Sequence, residues 1–408
     1  MTDLSADPLA GAFAALYGAP PTHLVRAPGR VNLIGEHIDY AGLPVFPMAI
    51  QRQITIALRP VAEPECRIAT DEPGLEPRRF RLDRVLEPYP AGDWGNYVKA
   101  AAVFLRERRQ GRGNRAEPPG TGKRPEIGVP RGIEALVGSD LPAAAGLGSS
   151  SALVVACALA LLAAAGESVP PPELAARLAE AERFTGTRGG GMDQTICLCA
   201  REGTASLIEF APSRVEPVAV PDDWRFVVAH SLAEARKSGA AQTTYNRRRA
   251  EVESALREAD GRELGPDIGR RYKHVVTEAA RVRQAVEAMK AVHMSAFGTL
   301  MTASHRSLRD DFEVSTPELD ELVGIALDAG AAGARLTGAG LGGSVVALVG
   351  AARCAAVMDA LADRFYARRM SIEPSAATAG SRAVDDVLFV AHPAAAASVR
   401  RIESARRG

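Results

Sequence analysis

At 408 residues the chain is long enough for roughly two to three domain-sized units with substantial cores. Charged residues make up 24% and the formal net charge is zero, which excludes the electrostatic footprint of a nucleic-acid or anionic-membrane binder. Only five of the 49 basic residues are Lys, and beside abundant Ala this Arg excess reads as coding bias rather than a phosphate-binding strategy. Met1 to Ala10 carry acids and no basic-then-apolar pattern, so no secretory signal is expected. Apolar spacing predicts a helix over Leu9 to Tyr17. Extended segments follow at Leu24 to Val25, Val31 to Ile34 and Gln53 to Leu58, with Pro28-Gly29 turning the chain between the first two. Trp94 to Arg109 reads as a helix, with Tyr97, Val98, Ala101, Ala102 and Leu105 at three- and four-residue spacing. Gln110 to Pro130, rich in Gly, Pro and basic residues, reads as a solvated loop. Ile133 to Val137 is a predicted strand and Leu141 to Ser149 a glycine-rich turn.

The longest apolar run, Ala152 to Ala165, falls short of the roughly 18 residues of a membrane span and reads as a buried helix. After Pro170-Pro171-Pro172 a helix is expected over Glu173 to Phe184, then strands at Thr204 to Phe210 and Phe226 to Ala229. Charged helices fill Thr243 to Asp260 and Tyr272 to Val292. Ala334 to Val349 reads as strand, glycine turn, strand, and Ala355 to Tyr366 as a helix. The patterning is therefore α+β in both halves. A soft boundary near Phe210 to Trp224 gives expected domains of 1–210 and 211–408. Five cysteines, odd in number and widely spread, form no Cys-x-x-Cys pair, so neither a disulfide framework nor a zinc site is expected and a reduced cytoplasmic protein is the default. His230, His274, His293, His305 and His392 show no ligand spacing and are assigned ordinary core or surface roles.

Chemistry concentrates in four runs. Arg26-Ala27-Pro28-Gly29-Arg30-Val31-Asn32-Leu33-Ile34-Gly35-Glu36-His37-Ile38-Asp39-Tyr40 gathers Arg30, Asn32, Glu36, His37 and Asp39. Carboxylates and an imidazole of different reach suit a polyhydroxylated ligand, whose hydroxyls each need a fixed partner; a charged surface turn is the plain alternative. Gly146-Leu147-Gly148-Ser149-Ser150-Ser151, ahead of an apolar helix, suits an anion. The glycines admit a close phosphate, the helix start offers unpaired N–H groups, and Ser149 or Ser150 offers a hydroxyl to phosphate or Mg²⁺. A serine cap alone would need only one hydroxyl. Gly120-Thr121-Gly122-Lys123-Arg124 imitates a Walker loop but lacks its first glycine and its Ser/Thr, and is set aside. Glu182 precedes Asp193 by eleven residues, across Gly189-Gly190-Gly191; by itself this reads as a flexible loop. Gly333 to Ser344 is a glycine-rich hairpin, a weak signal alone.

The Arg26 to Tyr40 run, continued through Pro47-Met48-Ala49-Ile50, resembles the galactokinase signature, within the GHMP superfamily of small-molecule kinases. Gly146 to Leu153 is similar to that superfamily's second motif and Gly333 to Ser344 to its third. Met192-Asp193-Gln194 resembles the segment bearing the catalytic aspartate, and Trp94-Gly95-Asn96-Tyr97-Val98-Lys99 a further galactokinase segment. The resemblance implies a two-domain α+β GHMP fold with mixed sheets, packed helices and the active site between the domains. It implies Asp193 as base toward the anomeric hydroxyl, with Arg30 beside it. Glu36, His37, Asp39 and Tyr245 then hold the sugar, Gly146 to Ser151 holds ATP, and Ser150 and Glu182 hold Mg²⁺.

The expected activity is a MgATP-dependent sugar 1-kinase, a cytoplasmic monomer or weak homo-oligomer without nucleic-acid or membrane partners. Galactose is placed first and N-acetylgalactosamine second. Ile38 for threonine, Gly189-Gly190-Gly191 for a Cys-Gly-Ile type sequence, and a spacing one residue shorter lean to the acetamido sugar, while Tyr245 leans to galactose. Gly148 replaces a common serine and Ser344 a common cysteine, the latter expected to matter little. A non-catalytic sugar sensor would have lost part of the serine loop or the aspartate, and both are intact. A mevalonate or homoserine kinase would leave the Glu36 to Asp39 loop unexplained.

Overall fold

A computed structural model describes residues 7–109, 131–186, 188–233, 240–258, 264–370 and 384–402. The loop expected over residues 110–130, with its Walker-like run, lies outside them.

Helix α1 (Pro8–Tyr17) is capped by the Asp7 carboxylate, which accepts the Leu9 N–H, and ends at Gly18 in the left-handed region. Strand β1 (His23–Ile34) runs through Pro28-Gly29 without the expected turn. The pair instead makes an irregularity: the register against β2 (Phe46–Val61) slips between Pro28 and Arg30. A proline cannot donate to the ladder, so the strand accommodates it as a bulge. Gly29 is required at that point, since a Cβ there would lie 2.3 Å from the Leu141 side chain and 3.0 Å from the Leu147 carbonyl.

Strands β3 (Glu65–Thr70) and β4 (Arg78–Arg81), helix α2 (Gly95–Arg109) and strand β5 (Gly132–Ser139) follow. With β12 (Ser398–Arg401) they form a six-stranded sheet ordered β12-β1-β2-β5-β3-β4, in which β3 and β5 run parallel. Period-two alternation divides its faces. Leu24, Ala57, Leu136 and Ala69 are cross-strand partners in one row and pack under Leu9 and Phe13 of α1. The alternate residues Val25, Ile56, Ile68 and Val137 join the main core on the other face, where α3 (Ser149–Ala165) packs between β1, β2 and α2. Helix α3 is apolar on every side, as a helix enclosed all round must be.

Helix α4 (Pro171–Ala181) stops short of the expected Phe184 and tightens into a 3₁₀ turn, Glu182–Thr185. Helix α5 (Met192–Cys199) begins after the three glycines. Strand β6 (Thr204–Phe210) forms where expected, and the segment read as a soft boundary carries β7 (Ser213–Ala219), which pairs with β6 as a hairpin. A second, antiparallel sheet orders β8 (Trp224–His230), β9 (Gly333–Thr337), β10 (Ser344–Gly350) and β11 (Leu388–Ala391) as β11-β8-β10-β9. Helices α6 (Ala240–Glu258), α7 (Pro266–Lys290), α8 (Met294–Asp310), α9 (Pro317–Asp328) and α10 (Cys354–Leu361) complete this part, with α8 and α9 packed on β9. The two sheets meet where the Asn32 N–H donates to Thr337 Oγ1 at 2.9 Å. All five cysteines are free thiols. No helix among the described residues is long and apolar enough to cross a membrane.

Candidate active site

The end of β1, the start of α3, the start of α5, one face of α6 and the β9–β10 turn converge on a cleft of about 720 Å³. The residues singled out as catalytic, sugar, nucleotide or metal candidates line it except Leu147, whose side chain is buried in the core; Asn32, gathered in the same run as Arg30, is also buried away from it. Leu147 contributes its backbone: its carbonyl accepts the Arg30 N–H at 2.9 Å and so fixes the glycine loop against β1.

Arg30 and Asp193 lie 163 residues apart in the chain and meet as a fork. Arg30 Nε and Nη2 donate to Asp193 Oδ1 and Oδ2, both at 2.8 Å. Nη1 donates to the Gly146 carbonyl, so one guanidinium ties the aspartate to the glycine loop. Burial alone would lower the Arg30 pKa, but Asp193 and Glu36 outweigh it and raise it, keeping the group charged. Gly148, in place of a common serine, leaves a Cβ only 3.2 Å from Arg30 Cγ.

The glycine loop has its own constraints. Gly146 and Gly148 both take left-handed φ, 74° and 75°, and Gly148 caps α3 with no side-chain bond to the first N–H groups. These donors therefore remain at the cleft wall with Ser149 and Ser150. Ser151, by contrast, turns inward and donates to Glu182 Oε2 at 2.8 Å, an oxygen that also accepts from Gln194 Nε2. Ser344 is buried, and its hydroxyl donates to the Ala145 carbonyl at 2.8 Å.

On the other side, Asp39 Oδ2 accepts the Gly190 N–H at 3.1 Å. No side chain fits at Gly190, where a Cβ would sit 2.3 Å from the Tyr40 nitrogen. Gly191 takes φ 102°, whereas Gly189 faces open space. The triple glycine is thus a tightly docked element rather than the flexible loop its sequence suggests in isolation. Burial and then the neighbouring Asp193 charge raise the Asp39 pKa. Burial also raises that of Glu36, against the opposing Arg335 and Arg30 charges. Glu36 Oε1 accepts the Gly338 N–H at 2.5 Å.

His37 has a left-handed φ of 61°. Its Nε2 lies 3.0 Å from the Ala339 carbonyl, an acceptor only, so Nε2 carries the proton. Burial, aided by His274 and Arg335, pushes its pKa down to about 3, so the ring is neutral and Nδ1 accepts from the Tyr40 hydroxyl at 3.3 Å. Its ring packs on Phe312 at 4.6 Å and Tyr245 at 5.6 Å between centroids. Both His37 nitrogens therefore have protein partners, and a ligand hydroxyl reaches Nδ1 only by displacing Tyr40.

Sequence reading quoted Tyr40, Gln194, Gly338 and Ala339 within its motifs but gave them no role, and all four line the cleft. It also passed over its outer end, where Ile54, Leu75, Trp94, Val137 and Leu141 form an apolar wall beside the glycine loop. The signal for that wall was the Trp94 to Lys99 segment.

Comparison with known proteins shows the family. The galactokinase galactose-binding signature matches residues 11–60, the GHMP kinase N-terminal domain residues 96–201, and the GHMP kinase C-terminal domain residues 285–367. A galactokinase of Chloroflexus aurantiacus is 36% identical over 91% of this chain and 96% of its own. A crystal structure of Lactococcus lactis galactokinase complexed with galactose superposes with a TM-score of 0.80 at 29% identity, covering 97% of this chain and all of that one. Methanococcus jannaschii mevalonate kinase, at 20% identity and a TM-score of 0.59 over 91% of this chain and 98% of its own, shares the fold alone. The chain is a two-domain α+β kinase and belongs to the galactokinase family of the GHMP kinases.

Proposed function

We propose that this protein transfers the γ-phosphoryl group of ATP to the anomeric hydroxyl of galactose, giving galactose 1-phosphate and ADP. The observation that carries the reading is the Arg30 fork on Asp193, set between a loop of exposed helix N–H donors and a loop of sugar-type acceptors. The relatives carry the choice of sugar, since the similar chains are galactokinases and one is complexed with galactose.

Phosphoryl transfer asks the protein mainly for alignment and charge neutralisation. The Asp193 carboxylate, gripped by Arg30 through both oxygens at the cleft wall, takes the hydroxyl proton. The sugar oxygen bonds to the γ-phosphorus, the bond to the ADP oxygen breaks, and the proton ends on Asp193. Arg30 orients that carboxylate beforehand and lies against the glycine loop, close to where charge develops. Glu36, Asp39 and Tyr245 supply sugar partners, with His37 through Nδ1. A flat base suits the apolar wall around Trp94, with its phosphates against Gly146, Gly148, Ser149 and Ser150.

Mg²⁺ fits the donor set: Glu182 is buried at the cleft wall, and its oxygen, a serine hydroxyl and nucleotide phosphates are the hard ligands this ion prefers. Glu182 and Ser150 would hold it, with Ser151 and Gln194 orienting Glu182. Bound there, the ion neutralises phosphate charge. We place the protein in the cytoplasm, as a monomer or weak homo-oligomer.

The test is ADP release with MgATP, comparing galactose with N-acetylgalactosamine, glucose and mevalonate. Galactose should give the highest kcat/KM; a preference for the acetamido sugar would overturn the substrate. Asp193→Asn should bind galactose normally and lose about 10² to 10⁴ in kcat. Unchanged turnover in that variant would refute the base.

A further inference from the structure

The sugar loop is gripped from behind by charged groups that do not line the cleft. Glu278, in the middle of α7 and fully buried, accepts the Gly35 N–H at 2.9 Å and the Ser304 hydroxyl at 2.6 Å on one oxygen. Its other oxygen accepts from Arg281 at 2.7 Å. One turn earlier, His274 Nε2 lies 3.1 Å from the Glu36 carbonyl, and because a carbonyl only accepts, that nitrogen bears the proton. Arg335, on β9 and also fully buried, sits 3.6 Å from Glu36 Oε1 and 4.0 Å from Glu278 Oε1. It donates to the Asn32 carbonyl at 2.7 Å. Gly35 lets α7 approach this closely: at φ 109°, a Cβ would lie 3.0 Å from both the Val282 side chain and Val45 Cα.

From this arrangement we infer that Glu278 and His274 of α7 are positioning residues for the sugar, fixing the backbone at Gly35 and Glu36 so that α7 sets sugar affinity without touching the ligand. Two features separate this from ordinary packing. A buried charge is costly unless paired, and an apolar residue would fill the same place at less expense. The grip is also local. Glu278 and His274 bond to the sugar loop, whereas the phosphate loop is held by Arg30 and Ser344. The loop between them is conformationally demanding, since His37 stands at left-handed φ. Released at Gly35 and Glu36, it relaxes and carries Glu36, His37 and Asp39 out of register together.

The inference rests on the galactose reading above, and the test separates the two. Titration calorimetry would give Kd for galactose and for a non-hydrolysable ATP analogue in Glu278→Gln, His274→Leu and His274→Gln proteins. Glu278→Gln and His274→Leu should raise the galactose Kd about tenfold or more and leave the nucleotide Kd within about twofold. His274→Gln retains an N–H donor and should recover most of the loss, which a purely space-filling role would not produce. Parallel loss of both affinities, or no change in either, overturns the positioning role. Should Glu278→Gln fail to fold, the His274 pair decides alone. Wild-type protein that neither binds nor phosphorylates galactose refutes the substrate reading; normal wild-type turnover with an unmoved galactose Kd in the variants refutes positioning only.

Discussion

Arg30 is a fork, and a point charge cannot replace it. Its nitrogens reach both Asp193 oxygens and the Gly146 carbonyl at once, a geometry lysine cannot reproduce. Arg30→Lys should therefore lower kcat by about 10²-fold in steady-state assays, because a small misplacement of the reacting groups is expensive. Gly190→Ala should be as damaging by a different route: the added Cβ meets the Tyr40 and Asp39 backbone, so the loop carrying Asp193 must move. Burial holds the His274 pKa down at about 4, below the unfolded value near 6.5. The unfolded chain then binds the proton first, so this residue's contribution is whole above pH ~6.5 and shrinks toward pH ~4, by up to about 1.4 kcal/mol per pH unit. Glu36 and Asp39, whose pKa values are raised, pull the opposite way. Comparison with His274→Gln isolates the histidine: the stability gap in urea titrations should narrow as pH falls from 6.5 to 4, and a constant gap would contradict it. Arg30, Glu36, His37, Asp39, the glycine–serine loop and Asp193, which line the cleft, were legible because they sit in contiguous, chemically dense runs. Glu278, His274 and Arg335 were not, being single charged residues in helical or strand patterns whose meeting depends on tertiary structure.

Two elements meet back to back beneath the phosphate region. A Cβ on Gly146 would lie 2.8 Å from the Thr337 carbonyl, and one on Gly338 would lie 2.7 Å from the Gly146 carbonyl. The loop before α3 and the turn after β9 thus contact through bare backbone, and neither tolerates a side chain. Gly146→Ala should raise the KM for ATP at least tenfold, more than the KM for galactose, besides costing about 1–3 kcal/mol for its left-handed φ. Elements with a strong period were legible: α3, α7 and the β9–β10 pair lie close to where spacing puts them. Strands β3 and β4 were not, because arginine-bearing strands of six and four residues hold too few apolar positions to establish a period. Pro28-Gly29 misled for a physical reason, since the pair that makes a turn in an isolated chain is absorbed as a bulge when the strand continues on both sides of it along β2.

For the molecule as a whole, the cleft takes walls from both sheets, so ligands that fill it join the two halves. Galactose and a non-hydrolysable MgATP analogue, each at about 100-fold over its Kd, should stabilise the fold by about 2.7 kcal/mol apiece if they bind independently. A larger joint shift in thermal melting would reveal coupling between the sites. The two-domain plan was legible from α+β patterning in each half; the closing of one sheet by the far end of the chain was not. Strand β12 lies against β1, pairing Arg26 with Ser398 and His23 with Arg401. During synthesis β1 emerges early, and its outer edge stays unpartnered until Ser398 to Arg401 have left the ribosome. Through that interval a nascent chain exposes a strand edge of the kind that invites intermolecular pairing, so chaperone occupancy should persist until β12 has emerged rather than ending once β5 has.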